Sequence, residues 1–519
     1  MNTFDYIVIG GGTAGCVLAN RLSQDPGRRV LLLEAGGGQP SPAMASPLAW
    51  PTLWGTSVDW AYQTVPQAGA GGAVIPWPRG RVLGGSSGIN GMMHIRGGRR
   101  SYDAWEAAGA VGWNYDTLLP YFKRSEQAAG DPAYRGTQGP MRVAPGPAGN
   151  PLWEASYQAA AEAGHTRNED DNGPAAEGVA WNDFNVVDGR RQSAADGYLT
   201  TDVRARPNLT IVTEAFVRRL LVAHGICQGA EYRQGGTTRT AYADGEVVLA
   251  AGTVATPQLL MLSGIGPGLH LREQGVAVDV DLPGIGENLQ DHPKSQVAYA
   301  ATRQVRGGSF ARKPHVLLRT DPQAAPDIQM IFIEFPVHPR WQLGAENGYS
   351  VIFSLVTPES RGTVRLADAD PGQPPLIDPR YLTDERDVTR MIAGLRRARE
   401  IGAANALAEF RKEELFPGPG ATTGIEIHDY LRRTITTYFH PVGTCRIGID
   451  GLSVVDPELR VHGVARLRIA DASVMPSVPS GNTNAPVLAI AERAAAFIVG
   501  EEGASNDLLM HGPVRTGGR

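Results

Sequence analysis

An α/β fold with a discontinuous second domain follows from three features of the 519-residue sequence. The chain opens with Tyr6-Ile-Val-Ile-Gly10-Gly-Gly12-Thr-Ala-Gly15, and a second apolar run, Val30-Leu-Leu-Leu33, ends at Glu34. Two later runs, Glu246-Val-Val-Leu-Ala-Ala-Gly252 and residues 464–469 entering Asp471, repeat the form of a buried strand ending in a turn and a helix. Between them, residues 327–335 and 349–355 read as longer strands of a different sheet. This order implies a split nucleotide-binding half, interrupted by a domain with a mainly antiparallel sheet.

The first motif reads as strand, glycine turn, helix, strand and acid, the pattern that holds a dinucleotide. Gly10 permits the tight turn, Gly12 lets the backbone approach a pyrophosphate, and Gly15 lets the helix pack on the strand. The helix over residues 14–22 turns its free N–H groups and positive dipole end toward the phosphates. Glu34 then accepts from ribose hydroxyls, and the motif alone leaves NAD and FAD both open.

Residues 36–80 are rich in glycine and proline, but Trp50, Trp54, Trp60 and Trp77 give them something to bury, so an ordered excursion is expected. Residues 151–164 and 387–403 have helical spacing, and 485–499 reads as a last helix. Residues 208–212 and 215–222 alternate like strands paired around a turn. A helix is expected from Thr256, with Pro257 in its first turn. The polar tail after Gly500 is expected to fray. The resulting division gives 1–150, 195–300 and 460–505 to the nucleotide domain, 151–194 and 301–459 to the second domain, and 506–519 to a flexible tail.

A net charge of −5 and pI near 6.2 give no electrostatic reason to expect nucleic acid or an anionic membrane as partner. The lysines are only Lys123, Lys294, Lys313 and Lys412. Cys16, Cys227 and Cys445 are too dispersed for a disulfide framework or a metal site, and Cys445 reads as a small buried filler. No basic and apolar leader precedes the first strand, and no apolar run reaches the ~18 residues of a spanning helix. A cytoplasmic protein with no membrane span is expected.

Three further segments carry chemistry. Gly80-Arg-Val-Leu-Gly84-Gly-Ser-Ser-Gly-Ile-Asn90-Gly offers clustered backbone N–H groups and hydroxyls to an anionic or carbonyl-rich ligand. Ala251-Gly252-Thr-Val-Ala-Thr256-Pro-Gln-Leu-Leu-Met-Leu-Ser-Gly-Ile-Gly266 and Pro283-Gly-Ile-Gly286-Glu-Asn-Leu-Gln-Asp291-His292-Pro follow. Together these resemble the glucose–methanol–choline (GMC) family of FAD-dependent oxidoreductases over about residues 5–500, within its choline dehydrogenase-like and aryl-alcohol or hydroxymethylfurfural oxidase-like members.

The resemblance implies FAD, a Rossmann-like FAD-binding domain and a substrate domain on an antiparallel sheet. The implied cofactor residues begin with Gly10, Gly12, Thr13, Ala14, Gly15, Glu34 and Ala35. Arg81, Gly84, Gly85, Ser86, Asn90, Gly91 and Met93 follow, with Val217 as a backbone contact to adenine. Ala251, Gly252, Asp471, Ala472, Thr483 and Asn484 complete the set, Asp471 meeting the pyrophosphate or ribityl region or serving as a helix cap. The resemblance also sets His440 and Asn484 against the flavin ring. An alcohol proton has a pKa of roughly 16, near that of water, so its loss at neutral pH needs a base at hydrogen-bond distance. His440 is assigned as that base and Asn484 as a donor to the substrate oxygen. His292 is expected to be structural or near the flavin, and His94 is a weaker candidate for the flavin environment. His315 and His338 are read as surface residues or as lining the substrate side.

The sequence departs from some relatives. No nucleophilic side chain stands next to Asn90, so noncovalent FAD is expected. Ile331, Ile333 and Phe335 share one face of their strand and, with Phe439, are expected to line the substrate pocket. That wall favours an aromatic or apolar alcohol over choline or a sugar, unless Glu334 turns inward. The short segment 294–326 reads as a reduced lid. The expected reaction oxidises a primary alcohol to the aldehyde, with dioxygen (giving hydrogen peroxide) or another acceptor reoxidising the flavin, in a monomer or homodimer. The alternative is a lyase of hydroxynitrile lyase type with a redox-silent flavin.

Overall fold

A computed structural model describes residues 3–305, 310–323, 325–338, 340, 342–343 and 346–500. The strand β1 (Thr3–Ile9) feeds the glycine turn and helix α1 (Thr13–Leu22), and β2 (Val30–Leu33) returns parallel to β1 with Ile7 opposite Leu31. Gly10 has φ +101°, where an L side chain would be strained, and a Cβ on Gly15 would meet the Gly10 carbonyl oxygen at 1.8 Å. Both glycines are therefore steric requirements of the turn.

The chain then reaches β3 (Leu209–Val212), β4 (Phe216–Ala223), β5 (Ile226–Gln234) and β6 (Thr237–Leu249). The sheet runs β3-β2-β1-β6-β5-β4, with Leu467–Ile469 also pairing in parallel beside the end of β6. β1, β2, β3, β6 and Leu467–Ile469 form the parallel part, and β4 and β5 extend it as an antiparallel meander. The expected pairing of 208–212 with 215–222 is thus corrected. β3 joins β2, whereas β4 pairs only with β5 in this sheet. Alternation marks both segments as strands, but it is blind to the corner at Glu214, where φ is +55°.

Helix α2 (Gly252–Leu262) starts at Gly252, not Thr256, so Pro257 lies inside it. Proline frees the carbonyl four residues back, and Thr444 Oγ1 donates to that Thr253 oxygen at 2.7 Å, which repairs the break. The peptide N–H of Leu220 in β4 donates to Ser263 Oγ at 2.8 Å, tying the meander to the end of α2.

The second sheet is built on β7 (Pro293–Ala301), β8 (Pro314–Leu318), β9 (Ile328–Ile333) and β10 (Gly348–Leu355). Its order is Arg411–Phe416, β7, β10, β9, β8, Gly178–Trp181, and every pairing is antiparallel. Helix α3 (Glu385–Ala403) covers one face, where Ile328, Met330 and Phe332 pack with Phe353, Met391 and Leu395. Ile331, Ile333 and Phe335 group instead with Val337 and Ile352. The period-2 pattern thus gives β9 one face for the core and one for a cavity.

β7 belongs to the antiparallel sheet from Pro293. Val442, Cys445, Ile447, Val454, Val455 and Leu459 pack in the same core as the parallel sheet. Of the segment 294–326 read as a reduced lid, 294–301 belongs to β7 and 314–318 to β8.

Helix α4 (Asn484–Val499) lies against α1 and carries a buried Glu492. Its carboxylate accepts two bonds from Arg21 at 2.8 Å and one from the Tyr198 hydroxyl at 2.8 Å, with Arg124 at 3.2 Å. This joint fixes the start of α4 beside the start of α1. Among the described residues no helix is long and apolar enough to cross a membrane. Residues 501–519, with the expected flexible tail, lie outside the described residues.

Candidate active site

A cavity of about 1000 Å³ runs from Glu34 and Val217, past both sheets, to His440 and the β9 wall. Gly10, Gly12, Thr13, Ala14, Glu34 and Ala35 line its nucleotide end. Gly12 caps α1 without any side-chain hydrogen bond, so the first-turn N–H groups open toward the cavity. Glu34 accepts from the peptide N–H groups of Gly11 and Gly36, each at 2.7 Å, and burial raises its pKa to about 7 against those bonds. Arg81, Gly85, Ser86, Asn90, Gly91 and Met93 line the middle, with Ala251, Gly252, Asp471, Ala472, Thr483 and Asn484 opposite.

Two assigned residues do not line it. Gly15 packs on Gly10, and Gly84 braces the turn by donating its N–H to the Gly11 carbonyl at 2.7 Å. The Asp471 carboxylate is a cap: it accepts from Gly252 N at 2.8 Å, Thr256 Oγ1 at 2.6 Å and Ser473 N at 2.8 Å. Only its backbone side is left for a ligand. A long cavity with a bare helix N-terminus at one end fits an extended dinucleotide. So does the buried Asn484 Nδ2, which finds no partner among the described residues.

The reactive end is assembled around Asp291. Its Oδ1 accepts from the His440 peptide N–H at 2.8 Å, and its Oδ2 from Thr437 Oγ1 at 2.5 Å and from the Tyr381 hydroxyl. Phe439 holds φ +69°, an unfavourable value for a bulky residue. That geometry is pinned by Arg79 Nη2 donating to the Phe439 carbonyl at 2.8 Å and by the Phe439 N–H on Thr437 Oγ1 at 2.7 Å. His440 lines the cavity, and its Nδ1 lies 3.0 Å from Nδ1 of His292. Burial first, then the neighbouring His292, Arg79 and Lys294, hold the His440 imidazole well below its ordinary pKa. Burial also lowers His292 to about 3 and Lys294 well below the lysine range.

Two asparagines flank Thr483 and face different partners. Asn484 Oδ1 accepts from Thr13 Oγ1 at 2.8 Å, at the start of α1 and hence on the nucleotide side. Asn482 also lines the cavity, and its Oδ1 accepts a long 3.4 Å bond from Gln329 Nε2 on β9, the substrate wall. Ile331, Ile333, Phe335 and Phe439 line the cavity. Trp54 packs on Phe439 with ring centroids 5.0 Å apart. Glu334 also lines the cavity, with its Oε2 3.7 Å from Lys313 Nζ.

The remaining histidines lie elsewhere. His94 is buried with Nε2 3.1 Å from Glu126 Oε2, in a cluster with Arg96 and Arg135, away from the cavity lining. Burial would raise the Glu126 carboxyl, but His94 and the two arginines drive it below the ordinary range. His315 is buried in β8 beside Asp171, and His338 lies 3.1 Å from Glu346, so neither lines the cavity. Cys445 is fully buried, as a filler should be. Sequence reasoning missed Asn482, Arg79, Lys294 and Lys313, and did not link His292 or Asp291 to His440. The motif around Asp291 and His292 was the available signal; the pairing across 148 positions was not.

A parallel-sheet dinucleotide domain joined to an antiparallel substrate domain, with a buried histidine at their shared cavity, defines a flavin-type oxidoreductase. GMC oxidoreductase profiles match residues 4–294 and 358–491, and the chain belongs to the GMC oxidoreductase family. It is 40% identical to an alcohol dehydrogenase [acceptor] of Pseudomonas putida, covering 96% of each chain. It is 39% identical to the mitochondrial choline dehydrogenase of Homo sapiens, over 96% of this chain and 90% of that one. The crystal structure of pyridoxine 4-oxidase from Mesorbium loti superposes with a TM-score of 0.91 at 39% identity, covering 95% of this chain and 98% of that one. The protein is therefore an FAD-dependent alcohol oxidoreductase.

Proposed function

We propose that the protein oxidises a primary alcohol of apolar or aromatic character to its aldehyde, using noncovalently held FAD. The observation that carries this reading is His440, a buried imidazole with its backbone anchored on Asp291 and its Nδ1 engaged by His292. Only Nε2 remains to take a proton from a ligand. His292 Nε2 is buried and meets no hydrogen-bond partner among the described residues, so the ring's own proton is directed only by the contact with His440. With that proton on Nε2, His292 Nδ1 accepts from His440 Nδ1–H, which leaves His440 Nε2 bare as the base.

Asn482 replaces Asn484 in this reading as the donor to the substrate oxygen, because its partner Gln329 is on the substrate wall. Asn484, tied to Thr13, serves the cofactor. His440 Nε2 takes the hydroxyl proton while Asn482 orients the oxygen and stabilises its developing negative charge. When bound, FAD supplies the hydride acceptor, and its electrons pass to dioxygen, giving hydrogen peroxide, or to another acceptor. The wall of Ile331, Ile333, Phe335, Phe439 and Trp54 excludes water from the reacting carbon. Ile89, which lines the cavity in the Gly-Ser-Ser segment, has no atom able to tether the flavin.

None of the relatives named above is a lyase, and no contact in the site favours that reading. Anaerobic mixing of the FAD-loaded enzyme with a panel of alcohols is the test. Bleaching of the flavin band with apolar primary alcohols is expected; unchanged flavin with every alcohol would overturn the proposal.

A further inference from the structure

Of the four lysines, Lys313 lines the cavity, and it pairs with an acid on the substrate wall. Lys313 stands just before β8 and Glu334 just after β9. The antiparallel register, His315 opposite Ile331, brings both to the same end of this hairpin. Lys313 Nζ is 3.7 Å from Glu334 Oε2 and 5.1 Å from the centroid of the Trp153 ring. Both charged side chains are only partly buried, at 25% and 14% exposure. At 3.7 Å the pair is loose, and both of its members face the cavity.

A carboxylate beside an aromatic face is the chemistry that binds an organic cation. Here the carboxylate on the substrate wall, Glu334, already faces the Lys313 ammonium, which also lines the cavity. We infer that Lys313 neutralises the cavity-lining carboxylate of Glu334, and thereby makes the enzyme select uncharged alcohols over cationic ones. The adjoining wall of Ile331, Ile333 and Phe335 offers an uncharged substrate apolar surface. A quaternary ammonium alcohol has to displace the lysine or meet its charge. The inference rests on the alcohol-oxidising reading above and names the charge class of its substrate.

The test uses two isosteric pairs of alcohols that differ only in charge. They are choline against 3,3-dimethyl-1-butanol, and 4-(trimethylammonio)benzyl alcohol against 4-tert-butylbenzyl alcohol. The ratio of kcat/KM for the cation to that for its isostere is measured in FAD-loaded wild type, Lys313→Met, Glu334→Gln and the double variant. Because the ratio is internal to each variant, a general loss of activity cancels. In Lys313→Met the exposed carboxylate should raise the ratio at least 10-fold. In Glu334→Gln, where the lysine is left uncompensated, the ratio should fall below wild type, and the double variant should lose the gain of Lys313→Met. Alcohols that reduce the flavin with no shift in the ratio in either single variant overturn this inference alone. Flavin that no alcohol of either charge reduces overturns the reading on which it rests.

Discussion

Nδ1 of His292 lies 3.0 Å from Nδ1 of His440, with the two rings near perpendicular at 89°. Two neutral imidazoles can share one proton across that contact, so the tautomer of one sets the tautomer of the other. If His440 donates, its Nε2 carries a lone pair into the cavity; if it accepts, Nε2 carries a proton and cannot act as a base. His292→Ala should therefore slow flavin reduction by about 10- to 100-fold, and His440→Ala by at least about 100-fold. His292→Asn keeps an acceptor oxygen near the lost Nδ1 and should recover part of the rate. Stopped-flow reduction of the FAD-loaded variants checks this, and equal rates in the alanine and asparagine variants would refute the tautomer argument.

The pH dependence follows from the same burial. His440 is held well below the ordinary histidine value of about 6.5, by burial first and by His292, Arg79 and Lys294 next. A lowered pKa means that the base loses its proton at a lower pH, so the active, neutral form persists further into acid. The rate of flavin reduction should stay level as pH falls from 8 to about 6.5 and drop only below that. A pH profile of reduction under anaerobic conditions, with flavin occupancy checked at each pH, makes the measurement. An acid limb with its midpoint above the ordinary histidine value contradicts the assignment.

The two asparagines make separable predictions. Asn482→Ala removes the donor on the substrate wall and should lower the rate of reduction by about 100-fold, the scale of losing one such hydrogen bond in a transition state. Asn484→Ala removes the group held by Thr13 and should lower the fraction of enzyme that retains FAD through purification, with a reduction rate near wild type once reloaded. Flavin content per protein and the reduction rate, measured on both variants, separate the roles. The reverse pattern would restore Asn484 as the donor.

Much of the nucleotide half is legible in the sequence because steric rules leave little choice there. Gly10 at φ +101° and Gly15 against the Gly10 carbonyl admit no other residue, and β2 is apolar throughout because both its faces are covered. The face shared by Ile331 and Ile333 is equally direct, since side chains alternate along β9, whereas Glu334, past the end of the strand, also reaches the cavity. Partnership is less visible. β3 and β4 alternate like a hairpin, yet they join different neighbours because a left-handed corner at Glu214 redirects the chain. The start of α2 at Gly252 is hidden because Pro257 suggests a beginning, while the hydroxyl that permits it in mid-helix comes from Thr444. In the site, Asn482 and Asn484 are chemically identical and two positions apart, and only Gln329 and Thr13 distinguish them.

The joint between α1 and α4 carries a prediction about stability rather than chemistry. Glu492 is fully buried, and its carboxylate gathers Arg21, Arg124 and the Tyr198 hydroxyl. Removing the acid leaves these groups without their anion, but the Arg21 and Arg124 side chains are 14% and 33% exposed and can turn to water. Glu492→Ala should cost about 2–3 kcal/mol, below the roughly 3–5 kcal/mol of a pair wholly cut off from solvent. Because Asn484 begins the same helix and bonds Thr13 at the start of α1, the loss should also loosen FAD. Denaturant unfolding with and without added FAD tests both effects. A lower midpoint that excess FAD partly restores is expected, and an unchanged midpoint would mean that packing alone holds the two helices together.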